Sequence, residues 1–191
     1  RVEAFNGVSM GVAEGFIDLP EATRLGTEPG DLYLLAVGVN AFPNLPKRTY
    51  LTYAARDAEE MAKALEAKSS SYFRRVLTKV ITDNTEDKPD GATILEALEF
   101  VRQGRPADTV VVFLASHGIS DAAGSYYFVP RDVQAQDLQA LGKGQKVSSL
   151  LPWTAFFDAL RGAAGRRLLI VDTCQARNIE GRFEAHSLLK R

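Results

Sequence analysis

The stretch VVVFLASHG (Val110–Gly118) joins an unbroken apolar run to a serine, a histidine and a glycine. An apolar run without period-two alternation is typical of a strand that is buried on both faces of a sheet. The stretch RLLIVDTC (Arg167–Cys174) has the same arrangement, because its apolar run ends at an aspartate, a threonine and the single cysteine of the chain. Both stretches therefore place reactive side chains where a buried strand ends.

Strands and helices alternate along the rest of the chain. Two more segments read as strands, LYLLAVGV (Leu32–Val39) and FRRVLTKVIT (residues 73–82), and SYYFVP (Ser125–Pro130) reads as a short strand or half of a hairpin. Apolar residues at helical spacing predict three helices between them. The first helix has Ala54, Ala58, Met61 and Leu65 at this spacing. The second opens with Asp90 and Gly91 and has Ile94, Leu98 and Val101 facing inward, and the third carries Trp153, Phe156, Phe157 and Leu160. We expect Ser148 and Ser149 to cap the third helix.

Alternating strands and helices imply an α/β fold with a mostly parallel sheet. In such a sheet, ligands and catalytic groups collect at the carboxyl ends of the strands. We assign this domain to residues 31–191. Residues 1–30, rich in glycine and proline, are expected to form a leader or linker, and Val133–Lys146 is expected to be disordered or a substrate-facing insertion.

Composition narrows the classes of function. The chain has 191 residues, 46% of them hydrophobic, and a net charge of -1, so nothing in its charge predicts binding to nucleic acid or an anionic membrane. No apolar run approaches the roughly 18 to 20 residues that span a bilayer. One cysteine cannot form an internal disulfide, which favours a reducing, cytoplasmic location. Because the sequence starts at Arg1, we expect it to be a fragment of a longer protein.

The predicted strand ends carry a candidate catalytic pair, His117 and Cys174. A thiol becomes an effective nucleophile when a neighbouring base favours the thiolate. The amides of Gly118 and Cys174 are candidate donors to an oxyanion, as acyl transfer requires. Either residue alone is more often structural, the cysteine as a small core residue and the histidine in a solvated turn. Their shared position at strand ends favours the catalytic interpretation.

These motifs resemble the caspase-like cysteine peptidases, which place a His-Gly after one strand and an Asp/Gln-x-Cys after the next. Here the histidine and the cysteine are 57 positions apart. LTYAARDAEEMAKAL (Leu51–Leu65) resembles the metacaspase helix start, and YYFVPRD (Tyr126–Asp132) resembles the hairpin after the histidine loop. Metacaspases have His-Ser-Gly after the cysteine, whereas this chain has Gln-Ala-Arg, so it looks closest to bacterial orthocaspases. The resemblance implies a three-layer α/β/α sandwich, of which this chain is the large-subunit portion.

The resemblance also bears on substrate choice. Caspases have glutamine at the position of Asp172, where it helps to hold a substrate aspartate, and a carboxylate there would instead pair with Arg or Lys. Asp57 matches a second acidic pocket residue of metacaspases, although it could equally be an exposed helix residue or a cap partner. Together they predict an endopeptidase that cleaves protein or peptide substrates after Arg or Lys. The mechanism would use His117 to protonate the leaving amine and later to activate water.

The chain stops at Lys190-Arg191, before the further strands that a caspase-like sheet needs. A basic-specific protease would leave such an end by cleaving itself, and the small subunit would then come from the same precursor. An arbitrary chain end, or an unrelated cut in an exposed loop, would look the same.

Other interpretations stay open. The chain could be a caspase-like binding or scaffolding module without turnover. A flavodoxin-like ligand binder ranks last, because the loop after the first predicted strand offers only Gly38 for a phosphate turn. The sequence predicts no cofactor and no zinc site. Calcium activation is not excluded, although Asp121, Asp132 and Asp137 lack a compact calcium loop and favour solvated loop acids.

Overall fold

The computed structural model describes residues 29–69 and 71–173 in full and the backbone alone of residues 2–5 and 10–13. The strands in chain order are β1 (Val2–Phe5), β2 (Met10–Ala13), β3 (Leu32–Gly38), β4 (Val76–Thr82), β5 (Thr109–Ser116), β6 (Gly118–Ser120), β7 (Tyr126–Phe128), β8 (Leu151–Pro152) and β9 (Arg166–Thr173). The α-helices are α1 (Ala54–Ser69), α2 (Gly91–Arg102), α3 (Ala135–Gly142) and α4 (Trp153–Gly162), and a single 3-10 turn covers Lys47–Thr49.

The central sheet has the strand order β4-β3-β5-β9, and all three of its pairings are parallel. The strands end in register, since Gly38 of β3 is paired with Ala115 of β5, which is paired with Asp172 of β9. Every residue of β3 is buried, as its unbroken apolar run predicts. The parallel sheet and its register bring the polar residues that follow β5 and β9 to one edge.

Helices cover both faces of the sheet, which confirms the α/β fold predicted from the sequence. The small residues Ala54, Ala58 and Ala62 let α1 pack closely on one face, against Leu34 and Phe113. Helix α2 packs on the other face against β3 and β5, and α4 packs beside α2 and against β7 and β8. The apolar side chains of both helices form one cluster with alternate side chains of β3 and β5. The result is three layers, α/β/α.

A second, smaller sheet starts where β5 ends. Strand β6 begins at Gly118, pairs antiparallel with β7, and β7 pairs antiparallel with β8. The hairpin predicted around Ser125–Pro130 is therefore present, and Phe128 of β7 is fully buried against Phe156 of α4. This sheet anchors the backbone on both sides of His117.

Three local predictions are wrong. Val133–Lys146 is not disordered, because it contains helix α3, whose Leu138 and Leu141 are spaced so that both enter the core; its role as a substrate-facing insertion stays a prediction. The residue before α4 is Pro152, without a side-chain cap, while the amides of Ser148 and Ser149 donate to Asp137. Strand β9, predicted to be buried, has its Leu168 half exposed, because within the described residues β9 pairs on one side only, with β5.

The segment predicted as a leader or linker contains a short antiparallel ribbon. The backbones of β1 and β2 pair in it from Val2 with Ala13 to Phe5 with Met10. The division of the chain at residue 30 stays a prediction.

Candidate active site

The candidate site is built around His117, the first residue after β5. Its side chain is only 9% exposed. Ser116 fixes the end of the strand, because its hydroxyl donates a 2.7 Å hydrogen bond to the carbonyl of Val129. The amide of Val129 in turn donates to the carbonyl of His117 at 3.1 Å. The backbone that carries the histidine is thus held from the strand side and from the neighbouring hairpin.

A backbone carbonyl orients the imidazole. The Nε2 atom of His117 lies 2.6 Å from the carbonyl oxygen of Thr49. Since a carbonyl can only accept, Nε2 carries the proton in the neutral ring and Nδ1 keeps its lone pair. Phe42 packs on the ring at a centroid distance of 5.1 Å and limits its rotation. The structure therefore assigns the orienting role to a carbonyl of the Lys47–Thr49 turn.

That turn is itself fixed locally. The amide of Thr49 donates to the carbonyl of Pro46 at 2.9 Å, and the hydroxyl of Thr49 donates to the same carbonyl at 2.8 Å. Further along, the amide of Leu51 donates to the carbonyl of Asn40, and the side-chain oxygen of Asn40 accepts from the amide of Ala55 at the start of α1. Asn40 is the second residue after β3, so it ties the histidine-orienting loop to the sheet and to α1.

The surroundings of His117 favour its neutral form. Burial lowers the pKa of His117 below its ordinary value of 6.5, and the hydrogen bond to the carbonyl of Thr49 opposes this only in part. A neutral imidazole with a free Nδ1 lone pair at neutral pH is competent to accept a proton. The site is therefore suited to general-base chemistry.

The amide of Gly118 is directed away from the hairpin. The bonds from Val129 to His117 and from Asp121 to Ser125 mark positions 117 and 121 as members of hydrogen-bonded pairs. Because such pairs alternate with non-bonded ones along an antiparallel ladder, the pair of Gly118 with Phe128 is non-bonded. The N–H of Gly118 therefore points out of the hairpin, as an oxyanion donor must.

The two candidate pocket carboxylates lie on the same face of the sheet. Residues paired across parallel strands share a face, and Asp172 is paired with Ala115, which packs with α1. Asp57 lies in the first turn of α1, the helix that covers this face. Asp172 is exposed and Asp57 is partly exposed, so both carboxylates are open to solvent. The structure therefore brings them to one side and one end of the sheet.

Thr173 is the last described residue before the cysteine. It is buried, and it lies on the face opposite Asp172, where its hydroxyl contacts Tyr126. Cys174, Lys190 and Arg191 lie outside the described residues, so the nucleophile and the processing site stay predictions.

The three loop acids considered for calcium accept hydrogen bonds from backbone amides. Asp121 accepts hydrogen bonds from the amides of Ala123 and Ser125, and Asp132 accepts one from Gly91. Asp137 accepts from Ser148 and Ser149. Within residues 29–69 and 71–173, histidine and acidic side chains form no cluster of three or more able to hold a metal ion. In the same part of the chain, no helix combines the length and the apolar character needed to cross a bilayer.

Comparison with known proteins identifies the class. The sequence of residues 33–190 matches the family described as the caspase domain, Peptidase_C14. The chain belongs to this family. Its structure is similar to the crystal structure of protein GSU0716 from Geobacter sulfurreducens, with a TM-score of 0.53 and 18% sequence identity. The match covers 76% of this chain and 51% of the other, so the chain spans about half the length of that protein. A sequence comparison with curated proteins gives no significant match.

Proposed function

We propose that the protein is a cysteine endopeptidase that cleaves after Arg or Lys through a dyad of His117 and Cys174. The observation that carries this proposal is the arrangement of His117. Its Nε2–H is engaged by Thr49, its Nδ1 is left for a partner, and the neighbouring parallel strand leads directly into the only cysteine of the chain. Membership of the caspase domain family supports the same chemistry.

The reaction would be acyl transfer. His117 takes the thiol proton, the Cys174 sulfur attacks the carbonyl carbon of the scissile bond, and the Gly118 and Cys174 amides stabilise the oxyanion. His117 then gives the proton to the leaving amine as the peptide bond breaks. In the second half, His117 takes a proton from water, the hydroxide attacks the thioester, and the thiolate leaves.

The basic preference is supported by Asp57 and Asp172 on the α1 face. A carboxylate binds the guanidinium of a substrate arginine through two parallel hydrogen bonds and repels an acidic side chain. An open position suits such a pocket, because the partners lose water only when the substrate arrives. The substrates would accordingly be proteins or peptides with a basic residue before the cleaved bond.

The test is peptide cleavage by the full-length protein and its Cys174→Ala variant, with matched fluorogenic peptides that end in Arg, Lys or Asp. The proposal predicts cleavage of the Arg and Lys peptides that disappears in the variant. Asp cleavage would keep the dyad and refute the acidic pocket. Absence of any cysteine-dependent cleavage, together with slow alkylation of the thiol by iodoacetamide at neutral pH, would overturn the protease and favour a binding module.

A further inference from the structure

A buried hydrogen bond joins the hairpin after His117 to the end of β9. The hydroxyl of Tyr126 in β7 lies 2.5 Å from the hydroxyl of Thr173. Both side chains are nearly inaccessible, at 6% and 8% exposure. The ring of Tyr126 packs edge-on against Trp153 at a centroid distance of 5.1 Å. The phenol is thus held from the side, and its hydroxyl has a fixed direction.

The phenol reaches Thr173 by passing over Gly118. A Cβ atom at position 118 would lie 1.6 Å from the Tyr126 hydroxyl oxygen, which no packing adjustment short of moving the ring can relieve. Glycine is therefore required here for a steric reason besides its amide. The consequence is that Tyr126 contacts both the residue after His117 and the residue before Cys174.

The contact lies where the ladder of the main sheet stops. The last register pair of β5 and β9 is Ser116 with Thr173. The next residue along one strand is His117 and the next along the other is Cys174. Hence the Tyr126–Thr173 bond is the last described contact that fixes the two chain segments relative to each other before the proposed dyad.

We propose that Tyr126 is a positioning residue for the nucleophile, acting through Thr173. This inference rests on the proposed function and adds to it. The hydroxyl pair holds the backbone that carries Cys174 in register with His117 and with the amide of Gly118. Small errors in that geometry cost rate far more than they cost stability, because catalysis depends on close alignment of the reacting atoms. Loss of the bond should therefore lower kcat while KM changes little.

The variants that test this inference change one group at a time. Tyr126→Phe removes only the hydroxyl, Thr173→Val replaces the hydroxyl by a methyl group, and Thr173→Ser keeps it. The matched control is Tyr127→Phe on the same strand, whose hydroxyl makes only a 3.5 Å contact with Asp121. Each variant is measured in the full-length protein for kcat and KM on an Arg peptide, for melting temperature, and for the pH dependence of Cys174 alkylation.

We expect Tyr126→Phe and Thr173→Val each to lower kcat about tenfold or more, with KM within about twofold. The double variant should be no slower than the slower single one, because both changes break one bond. Thr173→Ser and Tyr127→Phe should keep most of the activity. Unchanged kcat in Tyr126→Phe, or losses that multiply in the double variant, would overturn the inference even if the protein melts at a lower temperature.

The alkylation profile separates this inference from the proposed function. If the parent protein cleaves no peptide, the protease proposal fails, yet positioning still predicts that Tyr126→Phe and Thr173→Val shift the pH midpoint of alkylation in the same direction. The same midpoint in parent and variants would then overturn the positioning role on its own.

Discussion

The carboxylate of Asp31 and the guanidinium of Arg74 meet through two hydrogen bonds, from Nε and Nη2, each 2.9 Å long. Asp31 is fully buried just before β3, and Arg75 and Arg105 also donate to it. The amide of Asp31 donates to the carboxylate of Asp108, which lies just before β5 as Asp31 lies just before β3. This network fixes the amino ends of the strands, at the opposite end of the sheet from the candidate site.

Replacing Asp31 by Asn should lower the melting temperature by several degrees, because it removes the charge of a buried carboxylate that three half-exposed arginines bind. The control is Asp158→Asn, which breaks an exposed pair with Arg161 and should change the melting temperature by about a degree at most. Equal effects of the two substitutions would show that burial adds nothing to the Asp31 network.

The same network predicts sensitivity to acid. Hydrogen bonds from Arg74 and Arg75 hold the pKa of Asp31 far below its ordinary value of 3.8. A carboxyl whose pKa is lowered by folding stabilises the fold at pH values above the pKa that it has in the unfolded chain. This contribution is lost as the pH falls from that pKa towards the lower pKa of the folded protein. Chemical denaturation at several pH values below about 4 should therefore show a shallower acid loss in Asp31→Asn than in the parent. If the free energy of unfolding fell equally with pH in the two proteins, the result would contradict the lowered pKa of Asp31.

Gly38 should not tolerate a methyl group. A Cβ atom there would lie 2.3 Å from the carbonyl oxygen of Ala54 and 2.7 Å from the Cα atom of Ala55, both backbone atoms that cannot rotate away. Gly38→Ala should cost about 1–3 kcal/mol in the free energy of unfolding, or more, since α1 would have to move off the sheet. Gly162→Ala is the control, because its nearest neighbour is the side chain of Arg102 at 3.4 Å. A tolerated Gly38→Ala would mean that α1 can shift, and with it Asp57.

The imidazole of His117 should titrate below 6.5 when no thiolate can act on it, as in Cys174→Ala. The measurement is the NMR pH titration of the two histidines, with His117→Asn to assign the signals. Because folding lowers this pKa, the unfolded chain takes up the proton at a higher pH than the folded protein does. His117 therefore costs no stability above about pH 6.5, and the free energy of unfolding declines as the pH falls below that value. A His117 midpoint above the ordinary value would contradict the dominance of burial.

Asp172→Asn should lower kcat/KM for an Arg peptide about tenfold to hundredfold, the value of a charge-assisted hydrogen bond lost at the substrate side chain. Asp57→Asn should act in the same direction if both carboxylates line one pocket. Glu99→Gln on α2, whose carboxylate pairs with Arg102, is the control on the other face of the sheet. An effect of Asp172→Asn that is equal for peptides with neutral and basic residues would refute its part in specificity.

The predictions from sequence succeeded where a local pattern of apolar residues carries the signal. The apolar runs of β3 and β5 and the spacing of Ala54, Ala58 and Met61 give strands and helices directly, and the family match is consistent with them. They failed where the local pattern is weak, or where the result depends on other parts of the chain. Helix α3 has only two buried leucines among polar residues, and the exposure of β9 depends on which strands pair beside it, which its own apolar run does not reveal.

In the candidate site, too, some residues could be predicted from the sequence and some contacts could not. His117 and Gly118 are readable because they follow a strand, whereas the contact of His117 with Thr49 joins positions 68 residues apart. The contact of Tyr126 with Thr173 spans 47 residues and depends on the absence of a side chain at Gly118. Neither contact has a local pattern, so only the folded chain reveals them.

The carbonyl that orients His117 has a further implication for mutational scanning. Every amino acid at position 49 supplies the same carbonyl oxygen, so a scan of side chains there would score the position by its effect on the Pro46 turn and miss its contact with the imidazole. The contact therefore requires the path of the loop to be kept, whereas the identity of residue 49 can change. A backbone ester between Thr49 and Tyr50 weakens this carbonyl as an acceptor without changing any side chain, and because it also removes the Tyr50 amide that donates to the carbonyl of Lys47, an ester between Lys47 and Arg48, which weakens that acceptor carbonyl, serves as its control.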